Sequence, residues 1–134
     1  RERVWQQPEE HKEEQDTYEQ FLVKKDVQFI EKIHQVIEEN LDNSDFNIDT
    51  IASTIGLSRS AFFKKLKSLT GFAPVDLVKE IRLNKSIELI KNSDMSISEI
   101  AFAVGFKDSG YFSKCFRKKY DQTPREYMNE WRKG

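Results

Sequence analysis

Two kinds of chemistry are open to the residues of this chain, covalent and electrostatic. Cys115 is its single thiol, and a nucleophilic cysteine needs a neighbour that lowers its pKa. Neither histidine, His11 or His34, lies near it in sequence. One Cys and two His offer no metal-ligand spacing, and no Gly-rich phosphate loop or carboxylate pair is present. Cys115 therefore reads as an inert core thiol, His34 as a surface residue, and no catalytic residue, metal or cofactor is expected. The electrostatic signal is stronger. On helical spacing, residues 59–69 place Arg59, Ser60, Phe63, Lys64 and Lys67 outward, and residues 109–119 do the same with Ser109, Gly110, Tyr111, Lys114, Arg117 and Lys118. Lys107 and Ser113 flank the second set. Neither stretch contains an acid. A solvated helix face normally mixes its signs, so two one-sign faces point to a polyanionic partner.

The surrounding elements must aim these faces. Ile97, Ile100, Ala101 and Val104 have helical spacing, Gly105 follows where a left-handed residue is needed, and Asp108 can cap a second helix. That helix turns Phe112, Cys115 and Phe116 inward. The pattern is a helix-turn-helix, and the chain contains it twice. Ile48, Ile51, Ala52, Ile55, Gly56 and Leu57 match Ile97, Ile100, Ala101, Val104, Gly105 and Phe106 at an offset of 49. One residue later in the turn, Phe62, Lys64, Leu66, Lys67 and Pro74 match Phe112, Lys114, Phe116, Arg117 and Pro124 at an offset of 50. Two copies are too few for a solenoid.

The predicted fold is all-α, with two helix-turn-helix subdomains joined by a long linker helix, about seven helices in total. Asp26 to Leu41 is the first predicted helix, with a stripe of Val27, Ile30, Ile33, Ile37 and Leu41, widened by Phe29 and Val36. Residues 42–45 break it. Asn47 caps a helix over 48–55, and Ser58 caps one over 59–69 whose inner side is Phe62, Leu66 and Leu69. Gly71 ends that helix. Pro74 opens the linking helix, 74–91, which is apolar nearly all round and so must touch both units. Arg82 on it fits either a salt bridge within the domain or a phosphate contact. Ser96 with Glu99, and Thr123 with Glu126, read as capping boxes. The last helix is expected to bury Tyr127, Met128 and Trp131. The expected organisation is an acidic linker over 1–25, a first subdomain over 26–73, the linking helix over 74–91, and a second subdomain over 92–134.

Charge is divided along the chain. Residues 1–46 hold 6 Lys/Arg against 13 Asp/Glu, while 47–134 hold 16 against 10. The overall net charge of −1 therefore conceals a basic C-terminal part able to hold a polyanion. Residues 1–20 are acidic and poor in apolar side chains, so no packed element is expected there beyond a loose helix. They read as an inter-domain linker, or as an acidic segment that docks on the basic face and inhibits it. Val4 and Trp5 could be the trailing end of an upstream domain. The sequence opens with neither Met nor a signal-peptide pattern, so a fragment of a longer protein is expected. One cysteine excludes an internal disulfide and suits a reducing cytoplasm. No apolar run approaches the ~18 residues of a membrane helix.

The motif Ala-Phe-Ala-Val-Gly-Phe-Lys-Asp-Ser-Gly-Tyr-Phe-Ser-Lys-Cys-Phe-Arg-Lys over 101–118, with Thr-Pro-Arg-Glu-Tyr over 123–127, resembles the DNA-binding domain of AraC/XylS-family bacterial transcription regulators. The resemblance covers roughly 26–132. Residues 57–71, Leu-Ser-Arg-Ser-Ala-Phe-Phe-Lys-Lys-Leu-Lys-Ser-Leu-Thr-Gly, are similar to the variant in hybrid two-component regulators. It implies a sequence-specific reader of double-stranded DNA, whose linking helix fixes the separation of two recognition helices. In successive major grooves these would sit about 34 Å apart. Base contacts are expected from Ser60, Phe63, Lys64, Ser109, Gly110, Tyr111 and Lys114, positions that match the family's base-contacting face. Arg59, Lys67, Lys107, Ser113, Arg117 and Lys118 are expected on phosphates. Phe63 fits either packing against the following helix or a thymine methyl or sugar. Ser60, Ser109 and Gly110 reach little, which moves readout in the second unit toward Lys114 and toward DNA shape. Expected partners are an upstream receiver or sensor domain of the same polypeptide, RNA polymerase, and a second copy in the full-length protein, in the cytoplasm and without membrane contact. Two other classes compete: a helical protein-docking module that keeps the fold without DNA, and an enzyme using Cys115.

Overall fold

The computed structural model describes the backbone of residues 2–133 and the side chains of residues 17–132. Among the described residues there are seven helices and no strand. They are α1 (Glu2–Glu39), α2 (Ile48–Ile55), α3 (Arg59–Thr70), α4 (Pro74–Asn92), α5 (Ile97–Ala103), α6 (Ser109–Tyr120) and α7 (Pro124–Lys133). By contacts the chain divides into two parts, 1–34 and 35–134.

Residues 2–34 are the upstream part of α1. The helix starts at Glu2 and not at Asp26. A low apolar content argues against packing, but Glu, Gln, Lys and Arg are good helix formers without it. The side chains of Val4, Trp5 and His11 lie outside the described residues. Further along, Phe29 and Ile33 are buried while Val27 is exposed. Ile37, Leu41 and Val36 are buried as well and Ile30 is half-buried, so Val27 is the one residue of the expected stripe that faces outward.

Within residues 35–134, α1 ends at Glu39 and the chain leaves it through tight turns, with Asn43 N–H on Asn40 O at 3.0 Å and Phe46 N–H on Asn43 O at 3.1 Å. The helix starts are fixed by local chemistry. Asn47 Oδ1 accepts from Thr50 N–H at 3.0 Å, and Ser58 Oγ from Ala61 N–H at 3.1 Å. Ser96 and Glu99 form a reciprocal capping box, whose bonds hold the Glu99 carboxyl below its ordinary pKa. Thr123 and Glu126 do the same at α7, at 3.1 and 3.4 Å. Each cap satisfies helix-end N–H groups that have no partner within the helix.

Two small cores result. Ile51, Ala52, Phe62 and Leu66 fill the first, and Ile100, Ala101, Val104, Phe106, Phe112, Cys115 and Phe116 the second. The linking helix α4 buries Leu77, Ile81, Leu83 and Ile90, and packs against α3, α5 and α7. It therefore serves both cores, as its all-round apolar pattern requires. Each fully buried Phe or Leu contributes about 1.5–3 kcal/mol.

Two inward assignments fail. Leu69 is 38% exposed, in the last turn of α3. Trp131 is 52% exposed, and Tyr127 and Met128 are half-buried. Beside it, Arg132 turns toward the body instead, donating to Ile90 O at 3.0 Å and to Met95 O at 2.8 Å. Neighbours on a helix lie about 100° apart, so docking Arg132 sends Trp131 outward. Lys91 Nζ covers the indole at 4.1 Å.

Candidate nucleic-acid interface

The first basic face belongs to α3. Phe62 and Leu66 are fully buried and fix the helix's rotation. Arg59, Ser60, Lys64 and Lys67 are exposed, and Phe63 is 47% exposed. Phe63 thus leaves about half its ring free for a groove. One acid approaches this face from the neighbouring helix: Asp49 Oδ1 lies 3.6 Å from Arg59 Nη1. An exposed pair of this kind is worth at most about 1 kcal/mol, so Arg59 stays available to a phosphate.

The second face belongs to α6. Asp108 Oδ1 accepts from Gly110 N–H at 2.7 Å, and Phe112, Cys115 and Phe116 are buried behind the helix. Gly110, Tyr111, Lys114, Arg117 and Lys118 are exposed; Ser109 and Ser113 are half-buried. Tyr111 is 49% exposed and held in place. Its ring lies 6.0 Å from that of Phe106, with Lys79 Nζ at 5.6 Å. The hydrogen bond to Tyr111 raises the Lys79 pKa against the pull of burial. Lys79 is thus a cation of this face that the sequence reading missed. It belongs to another helix, and no local spacing signals it. Lys119 points away, bound to Glu80 and to Asn84 Oδ1.

Between the two faces the structure settles Arg82. It is half-buried and makes no salt bridge among the described residues. Nη1 donates to Gly105 O at 2.9 Å, and Nη2 to Asn43 O at 3.3 Å. Nε is buried without a partner, and burial lowers the guanidinium pKa. Lys107, expected on a phosphate, is exposed and reaches Asp45 at 3.1 Å. Alongside runs an open cleft of about 660 Å³, lined by Phe46, Ile48, Val75, Val78, Phe106 and Tyr111 among others. Among the described residues no group of His, Cys, Asp and Glu is placed to hold a metal, and no helix is long and apolar enough to cross a membrane.

Gly105 has φ +94°, as the turn between α5 and α6 requires. Gly56 repeats this between α2 and α3 with φ +85°. Two helix-turn-helix units, each with a left-handed glycine in the turn and a basic second helix, share α4. The family described as a helix-turn-helix domain matches residues 51–130, across both units. This chain belongs to the AraC-type helix-turn-helix family. Such domains are the DNA-binding parts of transcription regulators, and α3 and α6 are the second helices of the two motifs.

The chain is similar to several known proteins. It is 38% identical over 106 residues to a histidine kinase, P4, of Formosa agariphila, covering 79% of this chain and 8% of that one. It thus spans under a tenth of that relative. The C-terminal domain of the two-component response regulator yesN from Fusobacterium nucleatum superposes with a TM-score of 0.67 at 31% identity, covering 73% of this chain and 95% of that one. The DNA-binding domain of AdpA, solved in complex with a target DNA, superposes with a TM-score of 0.71 at 28% identity, covering 78% and 93%.

Proposed function

We propose that this AraC-type domain reads two successive major grooves on one side of a DNA duplex, with α3 in one and α6 in the next, about 34 Å apart. The observation that carries this reading is that both second helices have a buried apolar back and an exposed cationic front with no acid of their own. Ser60, Phe63 and Lys64 are the base-reading residues of the first unit. Ser109, Gly110, Tyr111 and Lys114 fill that role in the second. Ser109 is half-buried and Gly110 has no side chain, so Lys114 and Tyr111 dominate there. Arg59, Lys67, Lys107, Ser113, Arg117 and Lys118 hold phosphates. Proximity to the DNA-bound AdpA domain supports the reading.

The domain acts by binding and not by catalysis: Cys115 is buried behind α6. Residues 1–25 serve as an acidic linker, 26–73 and 92–134 as the two reading subdomains, and 74–91 as the spacer. A receiver or sensor domain upstream controls them, and the full-length cytoplasmic protein pairs on its operator and contacts RNA polymerase. Similarity to the C-terminal domain of a response regulator and to a histidine kinase supports that architecture.

The test is selection of bound sites from random DNA, followed by affinity against salt. Six phosphate contacts at ~0.9 each give an expected log–log slope of about −5. Recovery of no common site, with binding insensitive to salt, would favour a protein-docking module instead.

A further inference from the structure

The two helix-turn-helix units are joined by more than α4. From the middle of that helix Arg82 reaches both ways, to Gly105 O in the turn of the second unit and to Asn43 O in the loop that enters the first. Directly beside it the two backbones meet. A Cβ on Gly105 would lie 2.2 Å from Leu41 O and 2.8 Å from Arg82 Cζ. On the outer edge Lys107 pairs with Asp45 across the same seam at 3.1 Å. Three contacts of different kinds thus hold residues 41–45 against residues 105–107.

These are irregular segments, where hinges are usually found. A helix such as α4 fixes the length between two units, but it does not by itself fix their rotation about its axis. A planar guanidinium with both Nη groups on backbone carbonyls does, because its fork presents donors in fixed directions. Burial and the pairing of those carbonyls make Arg82 part of the backbone framework. It touches no expected DNA contact residue by hydrogen bond, so its role is positioning.

We propose that this clasp, centred on Arg82 and closed by Gly105, sets the half-site spacing that the domain accepts on DNA. The proposal rests on the reading that α3 and α6 occupy successive grooves. One added base pair moves the second groove by about 3.4 Å and a tenth of a turn. A clasped pair cannot follow that rotation; an unclasped pair can.

The experiment uses the whole chain and its selected site, with one base pair inserted or removed between the half-sites. Wild type should lose about 10-fold or more in affinity at either altered spacing. Arg82→Lys keeps the charge but not the fork. It should keep base preference within each half-site while its spacing penalty falls to about 3-fold. An unchanged penalty, or equal loss at every spacing, overturns the proposal. Should Arg82→Lys fail to fold, Arg82→Gln decides: its amide can reach at most one of the two carbonyls that Arg82 bridges and should give an intermediate penalty, and a wild-type penalty there overturns the proposal. A DNA-free readout separates the two ideas. Spin labels at Ser68→Cys and Asn129→Cys, both exposed, in a Cys115→Ser background report the distance between the units. Its distribution should broaden in Arg82→Lys, and an unchanged width overturns the clasp. Broadening together with a wild-type footprint over a single groove overturns the two-groove reading, and with it the spacing role.

Discussion

Replacing Gly105 by alanine sets the turn of the second unit against that of the first. Both Gly56 and Gly105 have positive φ, +85° and +94°, so either alanine pays the left-handed cost of about 1–2 kcal/mol. Their surroundings differ. A Cβ on Gly56 meets nothing within 4 Å, whereas one on Gly105 meets Leu41 O at 2.2 Å and Arg82 Cζ at 2.8 Å. The first of these atoms is backbone and cannot swing aside. Overpacking of that kind costs about 1–3 kcal/mol. Displacing Arg82 from Gly105 O adds about 1.5–3 kcal/mol for a hydrogen bond from a charged donor. Gly105→Ala should therefore cost at least about 2 kcal/mol more than Gly56→Ala, from a total that is about 5–15 kcal/mol for a domain. At roughly 4–8 °C per kcal/mol, the two melting temperatures should differ by about 8 °C or more. Thermal and urea unfolding followed by circular dichroism measures this directly. Equal costs at the two glycines would mean that the close approach at Leu41 is absent, and the clasp with it.

Three further outcomes follow from the same geometry. Lys64→Ala and Lys114→Ala should each cost about 1–3 kcal/mol on the selected site and relax preference at particular base pairs, while Lys67→Ala weakens all sequences alike and lowers the salt slope by about 1; binding titrations on point-substituted sites separate the two classes. Tyr120 is pushed up to about 12 by burial, and further by Glu80 and Tyr127. The folded form therefore keeps a proton that the unfolded chain releases near its ordinary value of 10.0, so the contribution is complete below pH 10 and is lost as pH rises through 12. Urea midpoints should fall across that window, and fall less in Tyr120→Phe. Arg132→Ala removes the donors to Ile90 O and Met95 O and should cost about 1–3 kcal/mol in urea unfolding with little change in DNA affinity.

Much of the fold was readable because its signals are local. Asn47, Ser58, Ser96 with Glu99, and Thr123 with Glu126 bond to groups within three residues of themselves, and Asp108 within two, so the residue types suffice to place the helix starts. The internal repeat supplied the pairing of α2 with α3 and of α5 with α6. What escaped depends on groups distant in sequence. Arg82 binds carbonyls 23 and 39 positions away, and no spacing rule separates that from a salt bridge or a phosphate contact. The same holds for Lys79 beside Tyr111, and for Asp49 beside Arg59. The outward turn of Trp131 follows from Arg132 capping α4, a choice between neighbouring residues that composition does not decide. The α1 start was missed because apolar content reports packing, and this part of the helix needs only propensity. For the site, the exposure of the basic side chains was legible, while Ser109, expected outward, is half-buried; which of the cations already have a partner was not.

Cys115 offers a use that its chemistry alone would not suggest. As a lone thiol shut in behind α6 beside Phe112 and Phe116, it reacts with a thiol reagent only when that packing opens. Its modification rate is therefore a clock for transient opening of the second helix-turn-helix unit, legible by mass at a native thiol. A ligand that binds only the closed form slows such a clock in proportion to its occupancy. The reagent then reports affinity for any candidate operator from the chain without a substitution.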